Sequence, residues 1–152
     1  MPNIPITNEV IVDTGFWVAL GNRNDRYHSL ALAWLNQHDG GRLITTWPVV
    51  VETCYLLVNR GGMDQPQKFL RLLENPVIRL FDLDKLALQR MQQLMYKYAT
   101  LPMDFADASL VILAESIGHG YILSTDQRDF DVYPWKSHWP FTNVFLPDSS
   151  DP

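Results

Sequence analysis

The sequence predicts a single α/β domain built on a parallel sheet. Short apolar runs rich in β-branched residues alternate with longer segments in which apolar residues recur at helical spacing, and this alternation is typical of β-α-β units. The chain has 152 residues, 47% of them hydrophobic and 19% charged, which suits one folded domain. We expect that domain to span residues 1–152, with its core at about 8–146 and a frayed tail at 147–152.

Four strands and a fifth candidate are predicted from the apolar runs. Each run is short and is bounded by polar or turn-forming residues, as buried strands are. In chain order the predicted strands cover residues 10–12, 43–45, 77–81 and 121–124, with the fifth candidate at 144–146. Residues 14–20 continue the apolar run after the first strand, with Gly15 within them and Gly21 after them, and they are assigned to neither a helix nor a strand.

The helices between the strands are predicted from apolar spacing and from end signals. Pro48 suits the first position of a helix, Asp84 suits an N-cap, and glycines follow several of the segments. The predicted helices cover residues 27–37, 48–59, 66–73 and 84–98, and a last one opens at or near Asp104 and ends at Gly118 or Gly120. The segment 134–140, with Trp135 and Trp139, carries no functional prediction.

Composition limits the function and the compartment. With 12 Lys and Arg against 17 Asp and Glu the net charge is −5, which excludes a protein that binds nucleic acid by bulk positive charge but not an enzyme with a local cationic patch. Cys54 is the single cysteine, so no internal disulfide forms. The sequence shows no signal peptide and no long apolar run, so we expect a cytoplasmic protein without membrane association.

Several acids stand where ligands bind in open α/β sheets. Asp13 directly follows the first predicted strand and Asp126 closely follows the fourth, so both should lie at the carboxyl edge of the sheet, where such ligands bind. Glu52, Asp104 and Asp107 stand in the first turns of predicted helices that begin at that edge. Helix capping explains any one of these three acids. It explains less well why so many acids share one edge without matching bases.

Clustered carboxylates repel one another and therefore call for a cation. No His or Cys stands at ligand spacing beside these acids, and an all-oxygen set selects a hard ion such as Mg²⁺ or Mn²⁺. The sequence also lacks the glycine-rich phosphate loops and the Gly-x-Ser-x-Gly elbow of other α/β enzymes. The residues alone thus favour metal-dependent phosphoryl chemistry.

Five segments, in order, resemble one family. The segment 10–14 with 17–20 resembles the opening of PIN-domain nucleases, in particular the VapC-like toxins of toxin–antitoxin pairs, and 25–28 resembles their next segment. The segments 46–52, 105–115 and 124–130 resemble those that carry the family's further acids. The resemblance implies a PIN-like three-layer α/β/α fold around a central parallel sheet of four to five strands.

The resemblance also implies a function: a Mg²⁺- or Mn²⁺-dependent endoribonuclease that hydrolyses RNA phosphodiester bonds. Carried over by position, the catalytic acids are Asp13, Glu52, Asp107 and Asp126. Among these, Asp13 and Asp107 are the direct metal ligands. A cognate antitoxin is implied as the partner, and a homodimer is suggested by the family rather than by any residue pattern.

A second tier of site residues remains open. Asp104 stands three residues before Asp107 and either supplements the site or caps the helix. Asp129 stands three residues after Asp126 and is the alternative to it, and Asp126 is favoured because it follows the strand. Thr125 would orient an acid or a water, and Arg128 is favoured among the arginines, which include Arg23, Arg26 and Arg60, as the phosphate contact. Two other functions stay open: a non-catalytic protein-binding module on this fold, and a nuclease that acts on DNA or in RNA processing outside a toxin–antitoxin pair.

Overall fold

The computed structural model describes residues 9–39, 41–101, 103–126, 134–136 and 139–146. Within them, five strands form one parallel sheet in the order β3-β2-β1-β4-β5. The predicted PIN-like α/β/α fold is confirmed. The strands are β1 (Val10–Val12), β2 (Leu43–Thr46), β3 (Ile78–Phe81), β4 (Tyr121–Leu123) and β5 (Thr142–Asn143).

Six α-helices connect and cover the sheet. They are α1 (Thr14–Gly21), α2 (His28–Gln37), α3 (Trp47–Gly61), α4 (Asp64–Leu73), α5 (Leu88–Lys97) and α6 (Phe105–Ile117). Helices α1 to α4 join strands that step in one direction across the sheet, and α5 and α6 join strands that return past β1. Since β-α-β crossovers are right-handed, the two groups lie on opposite faces of the sheet. The order of the strands reverses at β1, because β2 and β3 lie on one side of it and β4 and β5 on the other.

The core is formed where the sheet meets both layers of helices. Ile11, Ile44 and Ile122 of the central strands are fully buried. Helix α1 buries Phe16 and Trp17, so this helix is apolar on nearly all sides and lacks the polar stripe by which an amphipathic helix is identified in a sequence. That absence explains why residues 14–20 could not be assigned from the sequence.

Most predicted elements agree with the structure, and two differ. The fifth strand is Thr142–Asn143 rather than residues 144–146. The side chain of Asn143 accepts hydrogen bonds from the backbone N–H groups of Phe145 (3.0 Å) and Leu146 (3.3 Å), so these donors are not available to a sheet. The predicted helix 84–98 begins as a 3₁₀ turn, Lys85–Ala87, which Asp84 caps through the N–H of Leu86.

The membrane prediction, the tryptophan segment and the predicted tail concern parts of the chain outside the core. In the described part of the chain, no helix is both long and apolar enough to cross a bilayer. Trp135 and Trp139 form an isolated antiparallel bridge, in which each backbone N–H donates to the other residue's carbonyl at 2.9 and 3.0 Å. The predicted tail at 147–152 lies outside the described residues.

Candidate active site

The candidate site lies where the strand order reverses. Asp13 follows β1 and Asp126 follows the neighbouring strand β4, so both acids lie at the carboxyl edge where ligands bind in open α/β folds. A pocket of about 390 Å³ opens there. Its charged lining consists of six carboxylates and two guanidinium groups, those of Asp13, Asp25, Glu52, Asp104, Asp107, Asp126, Arg26 and Arg60.

Asp13 is the most enclosed of these acids, with 9% of its surface exposed. Its Oδ1 accepts a hydrogen bond from the N–H of Thr14 (2.7 Å), and its Oδ2 accepts one from the hydroxyl of Ser124 (3.1 Å). Burial raises the pKa of Asp13 to about 7, and the two hydrogen bonds offset part of that rise. The charges of Glu52 and Asp126 raise the pKa further. Asp13 therefore lies within the electrostatic reach of two other predicted site acids.

Asp107 belongs to the N-terminus of α6, where it forms a capping box with Asp104. Oδ1 of Asp104 accepts from the N–H of Asp107 at 2.8 Å, and Oδ2 of Asp107 accepts from the N–H of Asp104 at 3.2 Å. Burial, followed by the charge of Asp104, raises the pKa of Asp107 to about 8, and the charge of Asp13 contributes to the rise. Asp104 thus caps the helix, which was one of the two interpretations considered for it, and it also lines the pocket.

Glu52 enters the pocket from α3. Thr46 caps this helix, its hydroxyl accepting from the N–H of Val49 at 3.5 Å, and Pro48 stands in the first turn as predicted. Burial, and then the charge of Asp104, raises the pKa of Glu52. The acid on α3 is therefore electrostatically linked to the α6 cap.

The turn after β4 is tied to the start of α1. The N–H of Asp126 donates to the hydroxyl oxygen of Ser124 at 3.0 Å, which places Asp126 on the same turn as the donor to Asp13. Gly15 lies so close to Thr125 that a Cβ at residue 15 would stand 1.9 Å from Oγ1 of Thr125. Both residues line the pocket. A larger residue at position 15 would therefore displace the Thr125 side chain.

The donor set fits a hard divalent cation in its chemistry. The acids that line the pocket provide oxygen atoms, the ligands that such ions prefer. Burial and mutual repulsion raise the pKa of both Asp13 and Asp107. The side chain of Thr14, which also lines the pocket, is buried, and its interaction with the Glu52 carboxylate offsets part of the rise in the pKa of Glu52. Among the described residues, however, no three His, Cys, Asp or Glu side chains are already arranged to hold a metal ion.

The structure adds contacts that the sequence reasoning did not identify. Ser124 and Asn143 brace the end of β4, since the Asn143 side chain donates to the carbonyl of Ser124 at 2.9 Å. Asp25 and Arg60 form an ion pair of 3.6 Å at the edge of the pocket. Ser124 stands at the end of the predicted strand 121–124, and its polar side chain there was the available signal, whereas no sequence pattern connects Asp25 with Arg60.

Two second-tier residues, Asp129 and Arg128, lie outside the described part of the chain, so both stay predictions. The arginines that line the pocket are Arg26 and Arg60. The guanidinium of Arg26 stands 4.8 Å from the centre of the Tyr27 ring. Positive charge therefore reaches the acids from the α1–α2 connection and from the end of α3.

The fold and the pocket together define a class of protein: a parallel α/β domain with carboxylates gathered at the reversal of strand order. The family model of the PIN domain matches residues 10–136, and the chain belongs to the PIN-domain family. A similar solved structure is the VapC20 toxin of Mycobacterium tuberculosis, described as cleaving the sarcin–ricin loop. The TM-score is 0.72 at 22% identity, over 80% of this chain and 92% of that one, which shows a shared fold. No curated protein matches the sequence.

Proposed function

We propose that the protein is a metal-dependent endoribonuclease and the toxin of a toxin–antitoxin pair. The observation that carries the proposal is the burial of Asp13 at the strand reversal, within the electrostatic reach of Glu52, Asp126 and Asp107. Membership of the PIN-domain family supports a nuclease. The structural likeness to a toxin described as cleaving the sarcin–ricin loop supports RNA as the substrate.

The acids take different parts in this proposal. Asp13 and Asp107 would hold the ion, and Glu52 and Asp126 would complete the site around it or orient the attacking water. A bound Mg²⁺ or Mn²⁺ supplies Lewis acidity and neutralises charge at the attacked phosphate. The carboxylates must be deprotonated to bind a cation, so the raised pKa values of Asp13 and Asp107 make metal binding stronger as the pH rises.

The arginines at the pocket have a separate task. Arg26 and Arg60 line it beside the acids, and guanidinium groups bind phosphate oxygens in a planar, two-pronged geometry. They would hold the phosphodiester next to the carboxylates without reading its sequence. The partner implied by the toxin function is an antitoxin on a separate chain, and a homodimer remains part of the proposal through the family alone.

A cleavage assay tests the proposed function. Asp13→Asn removes a charge while keeping the volume, so we expect a folded protein that loses more than about nine-tenths of its Mg²⁺-dependent RNA cleavage, as expected when a direct ligand of a catalytic ion is lost. Asp82→Asn, at an exposed position away from the pocket, is the matched control and should retain activity. A folded Asp13→Asn protein that retains more than about a tenth of the Mg²⁺-dependent RNA cleavage would refute the assignment of Asp13 as a metal ligand. Parallel assays on DNA identify the alternative substrate.

One observation favours a second function, a protein-binding module without catalysis. The capping box accounts for Asp104 and Asp107 structurally, and no three acidic or other metal-binding side chains of the described residues are yet arranged around a point. In that case Asp104 and Asp107 only cap α6, and the surface of the domain binds a partner protein. The two functions differ in whether Asp107 contributes to site-specific binding of Mn²⁺.

A further inference from the structure

A second, larger cavity adjoins the acidic pocket. Its volume is about 590 Å³, and it lies between the end of α1, the end of α3 and one side of α4. We call it the cationic groove, after the three positively charged side chains that line it, Arg23, Arg60 and Lys68, among polar neighbours Asn22, Asn24 and Gln65. Arg60 also lines the acidic pocket, so the two cavities meet at this residue.

The charge of the groove is opposite to that of the chain as a whole. The protein carries a net charge of −5, yet no Asp or Glu of the described residues lines the groove. The side chains of Arg23 and Lys68 are exposed. Asp25 pairs with Arg60 on the side of the acidic pocket and is part of that pocket's lining rather than the groove's. The groove is therefore a local site for an anion.

We propose that the cationic groove binds the phosphate backbone of the RNA strand that leaves the acidic pocket, with Arg23 and Lys68 as positioning residues. This inference rests on the proposed nuclease function. A phosphodiester held among the acids is continuous with further phosphates on the same strand. The groove that begins at Arg60 offers the next cations along that path.

The lining of the groove indicates how the strand is bound. Leu57 and Phe69 form part of it but are almost entirely buried, so Phe69 offers no ring face on which bases could stack, and the exposed apolar side chain of the lining is that of Leu72. The amides of Asn22, Asn24 and Gln65 and the three cations are groups that contact phosphate and sugar. The groove should therefore strengthen binding of RNA of any sequence, and it should leave the choice of cleavage site to other contacts.

An acidic protein segment is the other anion that the groove could accept. A bound peptide gains much of its affinity from apolar side chains inserted into pockets, and among the described apolar residues that line the groove Leu72 alone is exposed to contact such an anchor. The connection through Arg60 to the carboxylate pocket favours the polyphosphate chain. The acidic peptide is thus an outcome of the test.

The test compares two double variants with the same change of charge in steady-state cleavage of a short single-stranded RNA with Mg²⁺. Arg23→Gln/Lys68→Gln changes the groove. Arg71→Gln/Lys97→Gln removes two exposed cations that line neither cavity. We expect KM to rise about tenfold in the groove variant only, with kcat nearly unchanged. The salt dependence of KM in that variant should weaken by about 1.4 in log–log slope, because each phosphate contact of a single strand contributes about 0.7.

The outcomes separate this inference from the proposed function. If wild type shows no cleavage of RNA, the proposed function fails. If wild type cleaves RNA and both double variants have the same KM and salt slope, the groove does not bind the substrate. If KM is unaffected but the groove variant alone loses binding of fluorescent poly-glutamate, the groove is a protein-binding site and the inference is overturned. Equal melting temperatures of the two variants exclude a difference in folding.

Discussion

Asp13 shows how a single residue is constrained by both fold and function. A buried carboxylate is costly unless hydrogen bonds or a cation compensate it. Two donors, the Thr14 N–H and the Ser124 hydroxyl, compensate only part of that cost, because the pKa of Asp13 still rises to about 7. The residual cost is what a bound cation would relieve. The position is therefore better suited to binding a metal than to stabilising the metal-free fold.

This imbalance predicts a pH dependence of stability. The pKa of Asp13 is about 7 in the folded protein against an ordinary 3.8, so the folded state holds a proton that the unfolded chain has lost. The protonated Asp13 carboxyl makes its full contribution to the free energy of unfolding below about pH 4, and this contribution is lost as the pH rises through about 7. Asp13→Asn cannot lose a proton, so without metal it should be the more stable protein at pH 8, by about 2–4 kcal/mol.

Thermal melting of metal-free wild type and Asp13→Asn between pH 4 and pH 8 measures the effect. The difference in Tm should grow in favour of the variant as the pH rises, and Asp82→Asn should follow wild type. A constant difference would mean that the Asp13 carboxyl titrates in the fold as it does in the unfolded chain.

At the scale of the element, the start of α6 serves two purposes. Its capping box satisfies backbone N–H groups that would otherwise lack partners, and the same two carboxylates line the pocket. The pocket thus uses a helix terminus whose partial positive charge favours carboxylates. Glu52 differs, because it lies beyond the first turn of α3, where this effect falls off, and Thr46 caps that helix.

Substitutions of Asp104 separate its cap from its charge. Asp104→Ala removes the cap and should lower the free energy of unfolding by about 1 kcal/mol, whereas Asp104→Ser retains a capping oxygen and should cost less than about 0.5 kcal/mol. Since Asp107 is the favoured metal ligand, Asp104→Ser should keep most of the cleavage activity. Denaturant unfolding and RNA cleavage of both variants measure this. Loss of cleavage in a stable Asp104→Ser protein would place Asp104 among the essential acids.

At the scale of the whole molecule, the charge is divided between two adjoining cavities. The acidic pocket has six carboxylates against two guanidinium groups, and the cationic groove beside it has cations without acids among the described residues. The net charge of −5 therefore describes neither cavity. An overall acidic protein still presents a surface for a polyanion, because electrostatic attraction is screened beyond about 10 Å at 0.1 M salt and is thus decided locally.

Metal binding should be measurable for the molecule as a whole. Calorimetric titration with Mn²⁺ should show site-specific uptake by wild type that Asp107→Asn removes, and Mn²⁺ at about 100 times its Kd should stabilise wild type by about 2.7 kcal/mol. Asp82→Asn should bind like wild type. Uptake that is absent from wild type, or unchanged in Asp107→Asn, would support the protein-binding module instead.

The sequence by itself determined the order and type of the main elements. β-Branched runs and helical spacing are local properties, so β1 to β4 and most helices were predictable, as was the place of Asp13 at a strand end. Local end signals also identified the capping positions of Asp84 and Asp104. The all-round burial of α1 concealed its helical character, because its residues contact the sheet and other helices on nearly every side.

Only the tertiary structure decided which distant residues meet. Ser124 reaches Asp13 across 111 positions of the chain, and Arg60 joins Asp25 where α3 ends beside the α1–α2 connection. The side chain of Asn143 takes the backbone donors of Phe145 and Leu146, so the predicted fifth strand does not extend through them. Such contacts depend on how strands and helices are placed around the reversal at β1, and this placement follows from packing of the whole chain rather than from the pattern of any one segment.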